Sequence, residues 1–217
     1  MPQLDLSGPA GRIEALLEEP AATRFAAVVC HPHPRYGGTL HNHATYRLAK
    51  AARTAGGAVL RFNYRGVGRS AGSYDQGRGE ADDTRAALAY LRDLDPARPL
   101  LVCGFSFGAW MALHAGGGDP TVRGFLLAGL PLRTAGLDVA RAPADLRAPE
   151  RPVAVVQAER DEYGSPAEVA EALAGSRGPR RLARLAGATH LCAEDLPGLQ
   201  REAEQVLAWL LREGGVT

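Results

Sequence analysis

Gly104-Phe105-Ser106-Phe107-Gly108 is the most informative segment of this 217-residue chain. It follows an apolar run, residues 99–103, that is typical of a buried strand, and it precedes residues 109–115, which are typical of a helix. A serine flanked in this way at a strand-to-helix turn is held as a nucleophile, with its hydroxyl pointing out of the sheet. The alternative is a glycine-rich turn with an incidental serine. The matching flanks favour the nucleophile.

The glycines around Ser106 have a physical explanation. The turn is so tight that we expect the residues two before and two after the serine to crowd each other, so that neither can carry a side chain. The amide of Phe107 then lies at a helix N-terminus, where unpaired N–H groups and the helix dipole favour an anion. Phe107 is therefore a candidate donor to an oxyanion.

Composition and charge exclude several classes of function. The net charge is +1 with scattered arginines, which indicates binding to neither nucleic acid nor a membrane surface. No apolar run approaches the ~20 residues of a membrane-spanning helix, and the N-terminus lacks a signal-peptide pattern. Three widely spaced cysteines show no metal-type C-x-x-C pattern. We expect a cytoplasmic protein acting on a small molecule, and the oligomeric state stays open.

Apolar runs alternate with helical patterns along the chain, which indicates a mostly parallel sheet with helices on both faces. Residues 4–17 instead resemble a hairpin at the sheet edge, and the whole chain, 1–217, is interpreted as a single α/β domain. Residues 131–152 are rich in proline and show no long apolar face, so we expect a turn or a short helix there. The predicted strands cover 25–30, 58–64, 99–103, 122–130, 152–157 and 180–185, and the predicted helices 44–55, 80–94, 109–115, 165–173 and 196–212.

A serine hydroxyl is a weak nucleophile and needs an adjacent base. In a parallel sheet, reactive groups gather at the carboxyl ends of the strands. His190 follows the last predicted strand, and Asp161 lies in the loop after the strand before it, which gives the chain order serine, acid, histidine. The acid is less clear than the base. Asp161 is favoured by its distance past the strand end, with Glu159 next and Glu162 also within reach.

The loop after the first buried strand should supply the second oxyanion donor. Pro32 and Pro34 have no N–H to donate, so the candidates are His33, Arg35 and Tyr36. The two prolines stiffen the backbone of His33, as a preorganised donor requires, and we favour the His33 amide.

Four histidines, His31, His33, His41 and His43, invite a metal interpretation. No carboxylate alternates with them, and nothing resembles H-E-x-x-H, so we expect neither a metal site nor a cofactor. The glycine-punctuated segment 63–70 lacks the spacing of a phosphate-binding loop, and we interpret it as a structural turn.

Four motifs in order extend this interpretation. They are residues 31–39 (His-Pro-His-Pro-x-x-Gly-Gly-Thr), 61–70 (Arg-Phe-Asn-Tyr-Arg-Gly-Val-Gly-Arg-Ser), 104–109 (Gly-Phe-Ser-Phe-Gly-Ala) and 187–190 (Gly-Ala-x-His). With them, the chain resembles the α/β-hydrolase superfamily over nearly its full length, and within it the small lidless bacterial serine hydrolases.

The resemblance implies a catalytic triad of Ser106, Asp161 and His190, with Phe107 and the 31–38 loop as oxyanion donors. One departure concerns the acid. Such proteins usually carry His-Gly before the acid loop, where this chain has Gln157-Ala158.

The expected activity is that of a serine hydrolase of the carboxylesterase type, which cleaves small carboxylic esters or thioesters through an acyl-enzyme on Ser106. An acyltransferase or a peptidase would use the same triad. A non-catalytic binding protein on a hydrolase scaffold is a further alternative, which the complete triad disfavours.

Many hydrolases of this fold carry a helical lid after the strand that follows the helix of the serine turn. Residues 131–152 occupy that place without a long apolar face, so the resemblance implies little or no lid and a preference for short acyl groups.

Overall fold

The fold is built on one eight-stranded sheet, seen in a computed structural model that describes residues 3–133 and 150–216. The strands are β1 Gln3–Gly8, β2 Gly11–Glu18, β3 Phe25–Cys30, β4 Gly57–Phe62, β5 Leu100–Phe105, β6 Val122–Ala128, β7 Val153–Ala158 and β8 Arg180–Leu185. Their order across the sheet is β1-β2-β4-β3-β5-β6-β7-β8. β2 runs antiparallel to β1 and to β4, and the remaining neighbours are parallel.

Five α-helices in the described residues cover the two faces of the sheet. They are α1 His43–Thr54, α2 Arg78–Leu94, α3 Phe107–Gly116, α4 Pro166–Leu173 and α5 Leu196–Glu213. One apolar core packs α2, α3 and α4 against one face, and a second packs α1 and α5 against the other. Strands β3, β4, β5 and β7 are buried along their whole length, since they face a core on both sides.

The predicted architecture is confirmed, including the antiparallel hairpin at the sheet edge. Most boundaries shift by one or two residues. β6 ends at Ala128 rather than at the predicted residue 130, because Gly129 leaves the strand with a φ of 53°. No described helix is long and apolar enough to cross a membrane.

Buried polar groups attach the segment after β4 to the edge hairpin. Asn63 donates from Nδ2 to Oε2 of Glu14 at 2.8 Å, and its Oδ1 accepts from the Leu40 amide at 2.8 Å. Arg65 pairs in a bidentate manner with Asp83, which is fully buried on α2. Hydrogen bonds of this kind to buried charges fix a loop firmly. Residues 63–70 thus form a structural turn beside the segment that follows β3.

Candidate active site

Ser106 occupies the sharp turn between β5 and α3. Its φ of 56° and ψ of −121° lie in a region that L-residues rarely adopt. Its amide donates to the Ala128 carbonyl on β6 at 2.9 Å, which holds the strained residue against the sheet. A Cβ on Gly104 would collide with the backbone of Gly108, as the sequence predicted. A Cβ on Gly108, however, would collide with the Cys30 carbonyl at the end of β3, so this glycine allows the helix to approach β3 instead.

His190 and Asp161 lie beside this serine. Nε2 of His190 is 2.8 Å from Oγ of Ser106. Nδ1 of the same ring is 3.0 Å and 2.9 Å from the two carboxylate oxygens of Asp161. Both the histidine and the aspartate are buried. The arrangement can move a proton from the serine to the imidazole, while the carboxylate holds the other ring nitrogen in its protonated form.

The two other acids of the same loop are placed differently. Oε2 of Glu159 accepts from the Gly187 amide at 2.7 Å, so this side chain joins two loops at an exposed position. Oε2 of Glu162 lies 3.3 Å from the amide nitrogen of His190 and faces the backbone, not the ring. Asp161 is therefore the acid whose carboxylate lies within hydrogen-bond distance of the His190 ring.

Gln157, at the end of β7, is a site residue that sequence reasoning missed. Its side chain is fully buried, and Nε2 donates to Oδ2 of Asp161 at 2.9 Å and to the Gly164 carbonyl at 2.7 Å. Its Oε1 accepts from the Leu130 amide at 2.9 Å. A second hydrogen bond, from the Tyr163 amide, reaches Oδ1 of Asp161 at 2.9 Å. A long polar residue closing an otherwise apolar strand was the signal that could have identified it.

The 31–39 loop curves beside Ser106. The Arg35 amide donates to Nδ1 of His33 at 3.2 Å, and the Tyr36 amide to the His33 carbonyl at 3.1 Å. Of the three candidate donors, His33 is the one whose amide has no hydrogen-bond partner within residues 3–133 and 150–216. Gly38 packs directly against the start of the same loop. A Cβ at this position would collide with the Pro32 carbonyl, so the close approach requires glycine. The Phe107 amide is the first of α3, a position that lacks an intrahelical partner.

The His33 ring is itself anchored. Nδ1 accepts from the Arg35 amide, so the neutral ring carries its proton on Nε2, which lies 3.1 Å from the hydroxyl of Tyr74. Burial, and then the charge of Arg35, lower the pKa of His33 and favour this neutral form. Tyr74 comes from the segment between β4 and α2, so a distant part of the chain supports this loop.

The remaining loop histidines do not converge on one point. His31 is fully buried, its Nε2 accepts from the Tyr64 amide at 3.1 Å, and its Nδ1 is 2.6 Å from the Pro32 carbonyl. Burial lowers the pKa of His31 to about 3, so it is a neutral structural group. His41 and His43 are exposed at the start of α1.

A cavity of about 310 Å³ opens onto Ser106. Its described lining is Pro32, His33, Tyr36, Asn42, Phe105, Ser106, Phe107, Pro131, Glu162, Tyr163, His190 and Leu191. Most of these side chains are aromatic or apolar, which suits an organic substrate with few polar groups. The segment for which we predicted little or no lid, 131–152, lies largely outside the described residues.

Comparison with known proteins identifies the family. The sequence profile of the family described as "Alpha/beta hydrolase domain" matches residues 35–196, well over half of the chain. An uncharacterized protein of Rickettsia prowazekii (strain Madrid E) is 41% identical over 136 residues, which are 62% of this chain and 57% of that protein. The match thus spans little more than half the length of that relative.

Solved structures agree over nearly the full chain. A protein of Xanthomonas campestris described as an α/β serine hydrolase without lid is 32% identical with a TM-score of 0.83, covering 96% of this chain and 94% of the other. An α/β serine hydrolase homologue from Coxiella burnetii is 28% identical with a TM-score of 0.86, covering 95% and 97%. The chain belongs to the α/β hydrolase family.

Proposed function

We propose that this member of the α/β hydrolase family is a serine hydrolase that cleaves small carboxylic esters or thioesters through an acyl-enzyme on Ser106. The observation that carries the proposal is the continuous chain of hydrogen bonds from Ser106 through His190 to Asp161, at 2.8 Å and 2.9 Å. The strained turn at Ser106 and the similarity to lidless serine hydrolases support it.

The first half of the reaction forms the acyl-enzyme. Oγ of Ser106 attacks the substrate carbonyl carbon while Nε2 of His190 takes the hydroxyl proton. The developing oxyanion accepts hydrogen bonds from the amides of Phe107 and His33, which are fixed before the substrate arrives. The tetrahedral intermediate collapses, the bond to the leaving alcohol or thiol breaks, and His190 gives that group its proton.

The second half releases the acid. A water molecule gives a proton to His190 and attacks the acyl carbon, and collapse of the second intermediate returns the proton to Oγ of Ser106. Throughout, Asp161 holds the Nδ1 proton of His190 and stabilises the imidazolium that forms transiently. Apart from the substrate and the water molecule, every group in this scheme is a side chain or an amide of this chain.

Labelling of the purified protein with a fluorophosphonate tests the assignment. Wild-type protein should be labelled and should hydrolyse 4-nitrophenyl butyrate. Ser106→Ala should abolish labelling and lower turnover by about 10³-fold or more, because the nucleophile is lost. Ser73→Ala, at an exposed serine outside the cavity, is the matched control and should be labelled like wild type. Undiminished labelling of Ser106→Ala would overturn the proposal.

A further inference from the structure

The cavity beside Ser106 is uneven in charge. Among the described residues that line it, Glu162 carries the one carboxylate, and no lysine or arginine side chain is present. His33, the histidine on the opposite loop, has a lowered pKa and stays neutral. A substrate in this cavity therefore experiences a fixed negative charge with no positive side chain in the described lining.

Three arginines lie near Glu162 in the sequence or in the loop that follows β3, and the guanidinium of each contacts another group. Arg133 pairs with Glu168, and its Nε donates to the main-chain carbonyl of Glu162 at 3.2 Å rather than to the carboxylate. Arg160 donates to the Gly187 carbonyl. Arg35 lies over the Tyr74 ring, with Cζ 6.0 Å from the ring centroid. None of the three is among the described residues that line the cavity, and none forms an ion pair with the Glu162 carboxylate among the described residues.

Exposed aromatic and apolar side chains surround the entrance. Four large hydrophobic side chains are exposed in the described chain, and three of them line the cavity: Tyr36 at 80%, Tyr163 at 38% and Leu191 at 65% exposure. Tyr36 belongs to the loop that follows β3, and Tyr163 directly follows Glu162 in the loop after β7. Aromatic faces together with a carboxylate are the surroundings that bind organic cations, quaternary ammonium groups in particular.

We propose that the site discriminates between substrates by charge, with Glu162 as the specificity-determining residue. Esters that bear an ammonium group at the far end of the acyl chain react fastest, neutral esters less well, and esters that bear a carboxylate worst. This inference rests on the proposed function, since it names the substrate class of the same site. It predicts that acyl groups of dicarboxylic acids are excluded.

Three 4-nitrophenyl esters of equal chain length test the ranking: the hexanoate, the 6-(trimethylammonio)hexanoate and the adipate monoester. Each kcat/KM is divided by the rate constant for hydroxide hydrolysis of that ester, which removes differences in intrinsic reactivity. For wild type we expect the adipate value to be about tenfold below the hexanoate value. That is the effect of two unit charges ~6 Å apart in surroundings between water and a protein surface.

Glu162→Gln removes the charge and keeps an oxygen that can accept from the His190 amide. The adipate-to-hexanoate ratio should rise about tenfold, and the preference for the ammonium ester should disappear. Glu159→Gln removes a carboxylate from the same loop but outside the cavity, and should keep the wild-type ratio. In 1 M NaCl, where the Debye length is about 3 Å, the wild-type ratio should move towards that of Glu162→Gln. A purely structural role of Glu162 would not produce this salt dependence.

An unchanged ratio in Glu162→Gln, or an equal change in Glu159→Gln, overturns the inference while leaving the proposed function intact. If none of the three esters is hydrolysed, the proposed ester substrates are wrong, while Ser106 can still be tested as a nucleophile. The ranking is then measured from the rates at which phosphonates with the same three end groups inactivate the protein at Ser106. Absence of both hydrolysis and inactivation overturns both proposals.

Discussion

Replacement of Gln157 by methionine separates the positioning of Asp161, the proposed catalytic acid, from its charge. The methionine side chain has a similar length and no hydrogen-bonding head group. In the structure, the buried amide of Gln157 donates to Asp161 and to the Gly164 and Leu130 carbonyls, and it accepts from the Leu130 amide. The substitution therefore leaves four buried groups without this partner.

The loss of stability follows from those four groups. A buried polar group left unpaired costs about 1–3 kcal/mol, and the added apolar burial of methionine offsets part of the sum. We expect the free energy of unfolding to fall by about 2–4 kcal/mol. For a chain of this size, that corresponds to a Tm lower by roughly 5–15 °C in a thermal denaturation experiment.

The loss of activity follows from the orientation of Asp161. Its carboxylate keeps the hydrogen bond from the Tyr163 amide but loses the one on Oδ2, so it can rotate away from His190. We expect kcat/KM for 4-nitrophenyl butyrate to fall by about 10- to 100-fold, as loosened catalytic geometry does elsewhere. Gln200→Met is the matched control: this glutamine bonds to Arg47 and Glu204 away from the cavity, and its loss should leave kcat/KM unchanged.

A double-mutant cycle tests whether Gln157 acts through Asp161. In an Asp161→Asn background the carboxylate is absent, so Gln157→Met should lower kcat/KM by less than about threefold further. The decrease in Tm should persist, since the Leu130 and Gly164 groups are still left unpaired. Equal losses of kcat/KM in both backgrounds would refute the reasoning, because Gln157 would then act independently of the acid.

Two further predictions concern the groups around the nucleophile. Asp161→Asn alone should lower kcat by about 10³–10⁴, since the amide can hold the wrong tautomer of His190. Glu159→Gln should change kcat by less than about threefold. The opposite result would identify Glu159 as the acid. Tyr74→Phe removes the hydrogen bond to the His33 ring and should lower kcat by about 3- to 10-fold with KM nearly unchanged, a fraction of the effect of losing an oxyanion donor. A change in KM with constant kcat would instead place Tyr74 in substrate binding.

Sequence patterns predicted most of the fold because its cores are simple. Buried parallel strands such as β5 have continuous apolar runs, and helices such as α5 have one apolar face, so periodicity identifies both. The end of β6 was predicted two residues too late. The apolar run continues through Gly129 and Leu130, while the chain turns at the positive φ of Gly129, a conformation that hydrophobicity does not encode.

Site residues could be predicted from the sequence where their geometry constrains the residues next to them in the chain, and could not where it depends on contacts between distant segments. Ser106 needs a strained backbone, which requires specific glycines next to it in the sequence and therefore leaves a motif. Asp161 needs only a carboxylate at the right point of a loop, and Glu159 and Glu162 offer the same chemistry within two residues. The choice among the three follows from the distance to the His190 ring, which depends on how the loops after β7 and β8 meet.

The groups that sequence reasoning missed act through other residues. Gln157 orients Asp161, and Tyr74 supports His33, over separations that only the folded chain brings together. Neither touches the reacting atoms, so neither requires a fixed spacing from Ser106. The strain at Ser106 persists because buried β5 and α3 enclose the turn and the Ala128 carbonyl accepts its amide hydrogen. The proposed nucleophile is thus held by the sheet itself, whereas the proposed acid is oriented by Gln157 near the end of β7 and the loop after β3 is supported by Tyr74 from the segment before α2.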